Sequence, residues 1–171
     1  MKHKSIFVAC DTSNISQIKN IIKQTQTNKL KIFPKFGLQF FYSKNGRKFL
    51  ENFNKDFWLD LKINDIPQTA LSAVDSLKDL KKCKYITVHA NGGFEMLKAI
   101  KKKVKSVNKN LKVLGVTILT SLNNKSLKEI GHTKSIDQLV LKQAGLIKKS
   151  GCDGIVCSAQ EAKMVRKKFK N

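Results

Sequence analysis

The chain has 171 residues, 41% of them hydrophobic, which is enough for one domain (residues 1–171) with a sizeable core. No apolar run approaches the roughly 18 residues of a transmembrane helix, and the opening MKHKSIFVACD meets Asp11 too early for a signal-peptide core, so the cytoplasm is the expected compartment. The net charge of +22 favours polyanionic ligands, yet only Arg47 and Arg166 of the 34 basic residues are arginine, the residue that forks onto phosphates and bases. The scattered lysines read as a solvated coat, with a basic nucleic-acid-binding protein as the alternative from a different class.

Short apolar strands alternate with amphipathic segments along the chain. SIFVAC (5–10) is the first predicted strand, followed by a helical stripe of Ile15, Ile18, Ile21 and Ile22 over 14–24. KIFPKF (31–36) and DFWLDL (56–61) are the second and third strands. Leu71, Val74, Leu77 and Leu80 predict a helix over 68–81. YITVHA (85–90), KVLGVTIL (112–119) and DGIVCS (153–158) complete the strands, and helical periods recur over 94–107, 135–149 and 159–169. Gly92, Gly93 and Gly151 punctuate loops. Cys10, Cys83, Cys152 and Cys157 lack zinc-ligand spacing and read as buried free thiols.

Six βα units in a row predict an α/β fold with a parallel sheet and helices outside. Two architectures fit, an open doubly wound sheet and a TIM-type (β/α)8 barrel. The turn after the first strand, ACDTSN, has no glycine, unlike a dinucleotide-binding turn. Polar residues close nearly every strand: Asp11, Lys35, Asp60 with Lys62, His89, and Thr117 with Thr120. That distribution suits a barrel, whose site gathers residues from many strand ends. A complete barrel has about 250 residues, so about six of its eight units are expected here.

Strand alternation places Asp60 and Lys62 on one face and Leu59 and Leu61 on the other. The leucines fit the helix side, which leaves the two charges inside the barrel near its rim. Asp65 follows just beyond, where Ile66-Pro67 opens a helix. An acid–lysine–acid cluster can keep a lysine protonated and deliver its proton to a developing carbanion. An ion pair with Asp65 as a helix N-cap is the competing reading. His89 and Ser121 have no evident paired acid or base, and Cys157 lies in an apolar strand; all three read as structural.

FWLDLKINDIPQT resembles the signature of the orotidine 5′-phosphate decarboxylase family, D-x-K-x-x-D-I-P at the end of the third barrel strand. Five further stretches resemble the family's other strand ends in the same order: Ala9–Asp11 (ACD), Lys35–Gly37 (KFG), Val88–Gly93 (VHANGG), Val116–Ser121 (VTILTS) and Gly151–Ala162 (GCDGIVCSAQEA). The resemblance implies decarboxylation of orotidine 5′-monophosphate to UMP, without metal or cofactor. It makes Lys62 the proton donor, supported by Asp60, and places Asp11 and Lys35 on the ribose and Thr120 on the pyrimidine. It sends Asp65, Ile66 and Thr69 into the neighbouring site of a homodimer. The family's T-P-G-I-R and G-R-S/P motifs, which hold the phosphate, do not occur in these 171 residues, so this polypeptide alone is expected to have little or no activity. A Mg2+-dependent 3-keto-gulonate 6-phosphate decarboxylase or hexulose phosphate synthase shares D-x-K-x-x-D and is the nearest alternative. Ile66-Pro67, VHANGG and VTILTS favour the orotidylate enzyme.

Overall fold

Six parallel strands pair in chain order: β1 (Ser5–Ala9), β2 (Lys31–Gly37), β3 (Phe57–Ile63), β4 (Cys83–His89), β5 (Lys112–Val116) and β6 (Gly154–Val156). The computed structural model describes residues 5–169; the basic residues that open the chain and its last two residues lie outside that range. A doubly wound sheet reverses its strand order at a switch point. The unbroken order here is that of a β/α barrel, laid down as an arc whose outer edges at β1 and β6 pair with no other described strand.

The helices α1 (Ile15–Gln24), α2 (Leu38–Phe41), α3 (Gly46–Glu51), α4 (Pro67–Asp75), α5 (Gly93–Val107), α6 (Asn124–Glu129), α7 (Ile136–Lys149) and α8 (Ala159–Lys168) connect the strands. Their ends are written locally. Asn14 accepts from Gln17 N, and Ser135 and Ser158 form capping boxes with Gln138 and Glu161. No described helix is long and apolar enough to cross a membrane.

Alternate strand residues divide the protein into an outer core and an inner face. Phe36, Leu59, Ile86 and Val113 point outward and are buried against the helices. On the inner face Phe7, Phe33, Trp58 and Tyr85 meet with ring centroids 4.7–5.5 Å apart, mostly edge to face. This aromatic floor lies one inward-facing position before Lys35, Asp60 and Thr87. It closes the polar layer from the amino-terminal side of the strands.

The structure adds elements that periodicity did not announce. Residues 38–51 form α2 and α3, held by a cluster of Phe36, Phe40, Phe49, Phe53 and Phe57 with centroids 5.1–6.3 Å apart. These helices span only four and six residues, too short to display a 3.6-residue repeat. Gly46 is required between them, because a Cβ there would lie 1.7 Å from the Phe40 carbonyl oxygen. The helix expected over 68–81 ends at Asp75, and Leu77 and Leu80 reach the core through successive turns instead. The strand expected over 112–119 ends at Val116. Beyond it, Thr117 turns its amide and hydroxyl to the Val156 carbonyl on β6. Cys10 and Cys83 are buried, whereas Cys152 and Cys157 are only half-buried; all four are free. Burial pushes the Cys10 thiol up to about 11 and the Cys83 thiol up to about 12, which leaves both inert as nucleophiles.

Candidate active site

Lys35 on β2, Asp60 and Lys62 on β3, and Thr87 and His89 on β4 all project from the inner face at the carboxyl ends of the strands. Asp60 is the hub. Its Oδ2 lies 3.0 Å from Lys62 Nζ and 3.2 Å from Lys35 Nζ, and its Oδ1 accepts from the Thr87 hydroxyl at 2.8 Å. Lys35 Nζ continues to Asp11 Oδ1 at 3.6 Å, just past β1. Gly37 permits that approach, since a Cβ there would sit 3.2 Å from the same carboxylate oxygen. Three strand ends therefore contribute to one line of alternating charge: Asp11, Lys35, Asp60, Lys62.

The electrostatics follow from burial and partners. Asp60 is 7% exposed, and burial alone would push its carboxyl up. The Thr87 hydroxyl and the Lys62 and Lys35 ammonium groups outweigh that effect and hold it below the usual carboxylate range. Asp60 thus stays ionised. Lys62 retains about a third of its side-chain exposure, so it is held at its base by Asp60 and open at its tip.

Lys62 also carries the one non-glycine positive φ among the described residues, +51°. The cause lies in the strand pairing. Leu59 pairs with Ile86 and Ile63 with Val88, so between these pairs β3 has three residues where β4 has only Thr87. The resulting bulge turns Lys62 into the left-handed region, a conformation that costs about 1–2 kcal/mol for a residue with a Cβ.

His89 is buried beside this cluster, and its Nδ1 accepts from Asn91 N at 3.3 Å. Burial first, and the Lys62 ammonium second, hold the imidazole below the ordinary histidine range. The unfolded chain therefore binds more protons at this residue than the folded protein does. Its stabilising contribution is complete above the unfolded pKa of about 6.5 and is lost as pH falls below it towards the folded value. The urea midpoint should drop between about pH 7 and pH 5, and His89→Gln should flatten that slope. An unaltered slope in the variant would assign the acid sensitivity to other groups.

Among the described residues, the other sequence-derived ones make no hydrogen bond or ion pair to this line. Asp65 is exposed; its Oδ1 accepts only from the adjacent Ile66 N, at 2.7 Å. Ile66, not Asp65, is the N-cap of α4, with Pro67 at the first helical position, so the N-cap reading of Asp65 fails. Asp65 and Thr69 line a surface groove with Lys62, Tyr42 and Arg47, while Ile66 beside them is 67% exposed. Thr120 lies in the turn after β5, in a cavity shared with Ile118, Ser158 and Glu161. Thr87 was not among the residues singled out from sequence. Its signal was the lone polar residue between Ile86 and Val88 in YITVHA, which alternation sends to the Asp60 face.

An arc of parallel βα units carrying an acid–lysine line across its strand ends defines a β/α-barrel protein with a carboxylate-held lysine at the barrel mouth. The chain belongs to the orotidine 5′-phosphate decarboxylase / HUMPS family, whose model matches residues 4–171. It is 39% identical over 139 residues to an orotidine 5′-phosphate decarboxylase of Staphylococcus epidermidis, a match covering 79% of this chain and 60% of that protein. Against the enzyme of the same name from Idiomarina loihiensis it is 35% identical over 163 residues, or 94% of this chain and 69% of the relative. The chain thus spans 60–69% of the length of these two relatives. Its fold matches the crystal structure of orotidine 5′-phosphate decarboxylase from Lactobacillus acidophilus with a TM-score of 0.86 at 30% identity, covering 98% of this chain and 77% of that one. A likeness at 21% identity to the enzyme from Methanocaldococcus jannaschii, solved with the inhibitor BMP, has a TM-score of 0.73 and shows the fold alone.

Proposed function

We propose that this chain, as one incomplete β/α-barrel domain, carries the carbon–proton chemistry of a cytoplasmic orotidine 5′-monophosphate decarboxylase, a carboxy-lyase of pyrimidine biosynthesis. The observation that carries the reading is the sharing of Asp60 Oδ2 between two ammonium groups, Lys62 at 3.0 Å and Lys35 at 3.2 Å. In this reading the bond from C6 of the pyrimidine to its carboxylate breaks and CO2 leaves. The electron pair stays on C6, and Lys62 Nζ supplies the proton that gives UMP. Asp60 faces the departing carboxylate, disfavours it in the ground state and holds Lys62. Asp11 and Lys35 bind the ribose hydroxyls, and Thr120 the pyrimidine edge. Asp65, Ile66 and Thr69 serve the site of the second subunit of a homodimer, which agrees with their exposure. The reaction so described calls for no cofactor and no metal.

The second reading is a Mg2+-dependent 3-keto-gulonate 6-phosphate decarboxylase or hexulose phosphate synthase, which the shared D-x-K-x-x-D pattern of Asp60, Lys62 and Asp65 allows. Loss of orotidylate absorbance, followed with and without a chelator, separates the two. Slow, chelator-insensitive loss is the expected outcome; turnover that needs Mg2+ with a sugar phosphate would favour the second chemistry. Turnover by the 171-residue polypeptide should be far below that of the full-length relatives. Binding of the remote phosphate normally lowers the barrel's chemical barrier, and the phosphate-holding motifs are not in these residues. Trp58 is the only tryptophan and lies on the inner face with Asp60, so its fluorescence should report UMP binding even where turnover is slow. Family-like turnover by this polypeptide would overturn the expectation.

A further inference from the structure

Thr87 is fully buried, and it uses both halves of its hydroxyl within the bulge. The O–H donates to Asp60 Oδ1 at 2.8 Å, and the same oxygen accepts from Lys62 N at 2.8 Å. Both residues lie in the stretch between Leu59 and Ile63 where β3 leaves its regular register. One bond stops the Asp60 carboxylate from rotating, so that Oδ2 is the oxygen presented to both ammonium groups. The other bond satisfies the backbone amide of a residue held at φ +51°. We propose that Thr87 is a positioning residue that ties the Asp60 carboxylate to the Lys62 backbone and so sets where the Lys62 ammonium stands.

The chemistry of the alternatives explains why a hydroxyl is required. Valine has the same shape but neither donor nor acceptor, and would strand Asp60 Oδ1 and Lys62 N in a dry layer above the aromatic floor. Serine keeps both. Asp60 would then be free to turn its carboxylate between Lys35 and Lys62, and Lys62 would lose the anchor that opposes relaxation out of the left-handed region. Thr87 touches no reacting atom; it acts through Asp60 and Lys62. The catalytic meaning of this tie rests on the decarboxylase reading above, but the tie itself does not.

The test is made on the 171-residue protein carrying Thr87→Val, Thr87→Ser or, as a control for loss of a buried hydroxyl elsewhere, Thr117→Val. Carbon-13 shifts of the Asp60 carboxyl are followed against pH, with the nitrogen-15 signal of the Lys62 ammonium. Thr87→Val should raise the Asp60 titration towards the ordinary carboxylate range and speed hydrogen exchange of the Lys62 ammonium. Thr87→Ser and Thr117→Val should leave both as in the parent. If Thr87→Val does not fold, Thr87→Ala is read against the same expectation. The proposal is overturned if the valine or alanine variant keeps the parental signals, or if serine fails to restore them. Neither readout needs substrate, so a failure to bind UMP would sink the decarboxylase reading and leave this result standing. Where turnover is measurable, Thr87→Val should lower kcat at least tenfold with little change in KM.

Discussion

Replacing Asp60 with alanine should destabilise the protein by about 3 kcal/mol, seen as a lowered urea midpoint at unchanged slope. The variant would leave the Lys35 and Lys62 ammonium groups on one inner face without the carboxylate that now lies 3.2 and 3.0 Å from them. Removing one partner of a buried pair is costly because the surviving charge stays desolvated. The partial exposure of Lys62 keeps the effect near the lower end of that range. Lys62→Gly should act in the opposite direction and stabilise by about 1 kcal/mol. Glycine adopts φ +51° without strain, and Asp60 keeps Lys35 and Thr87 as partners. An outcome in which both variants lose stability would mark the cluster as an ordinary structural ion network. Opposite signs would identify Lys62 as a residue held in place against the interest of the fold, as strained functional residues are.

Lys62→Ala should abolish proton delivery while sparing the binding site. A positioned general acid is worth about 10²–10⁴-fold in rate, so kcat for orotidylate should fall by that factor, with KM changing by only a few-fold. The comparison needs protein concentrations high enough to register the slow turnover expected of this polypeptide, with Trp58 fluorescence confirming that UMP still binds. Turnover that survives the substitution would remove Lys62 from the chemistry and leave the Asp60 cluster without an assigned proton donor. The two experiments are complementary. Lys62→Gly asks whether the residue is retained at a cost in stability, and Lys62→Ala asks what that retention supplies.

The parts of the site that strand alternation governs were readable in advance. Asp60 and Lys62 share a face because they stand two apart in FWLDLKI, and the outward Leu59 fixed which face meets the helices. The order of the βα units was readable for a similar reason, since apolar periods of two and near 3.6 are local properties of the chain. Periodicity failed at α2 and α3, where four and six residues are too few to show a repeat and packing among five phenylalanines defines the elements instead. It also overran α4, because Leu77 and Leu80 are apolar at helical spacing yet reach the core through turns.

Alternation and helical periodicity dictated a parallel α/β sheet and its inward and outward residues, and the resemblance of the stretch around Asp60 and Lys62 to a family motif is equally local. Each depends on residues near one another in the chain. Three properties arose only when distant strands paired. The consecutive strand order separated a barrel arc from a doubly wound sheet. The convergence of Asp11, Lys35 and Asp60 on one line of charge required β1, β2 and β3 to lie side by side. The left-handed Lys62, with its amide and its carboxylate partner tied by one hydroxyl, exists because three residues of β3 face one of β4. That register belongs to neither strand alone: where it shifts, the Thr87 hydroxyl of β4 takes the Lys62 amide of β3.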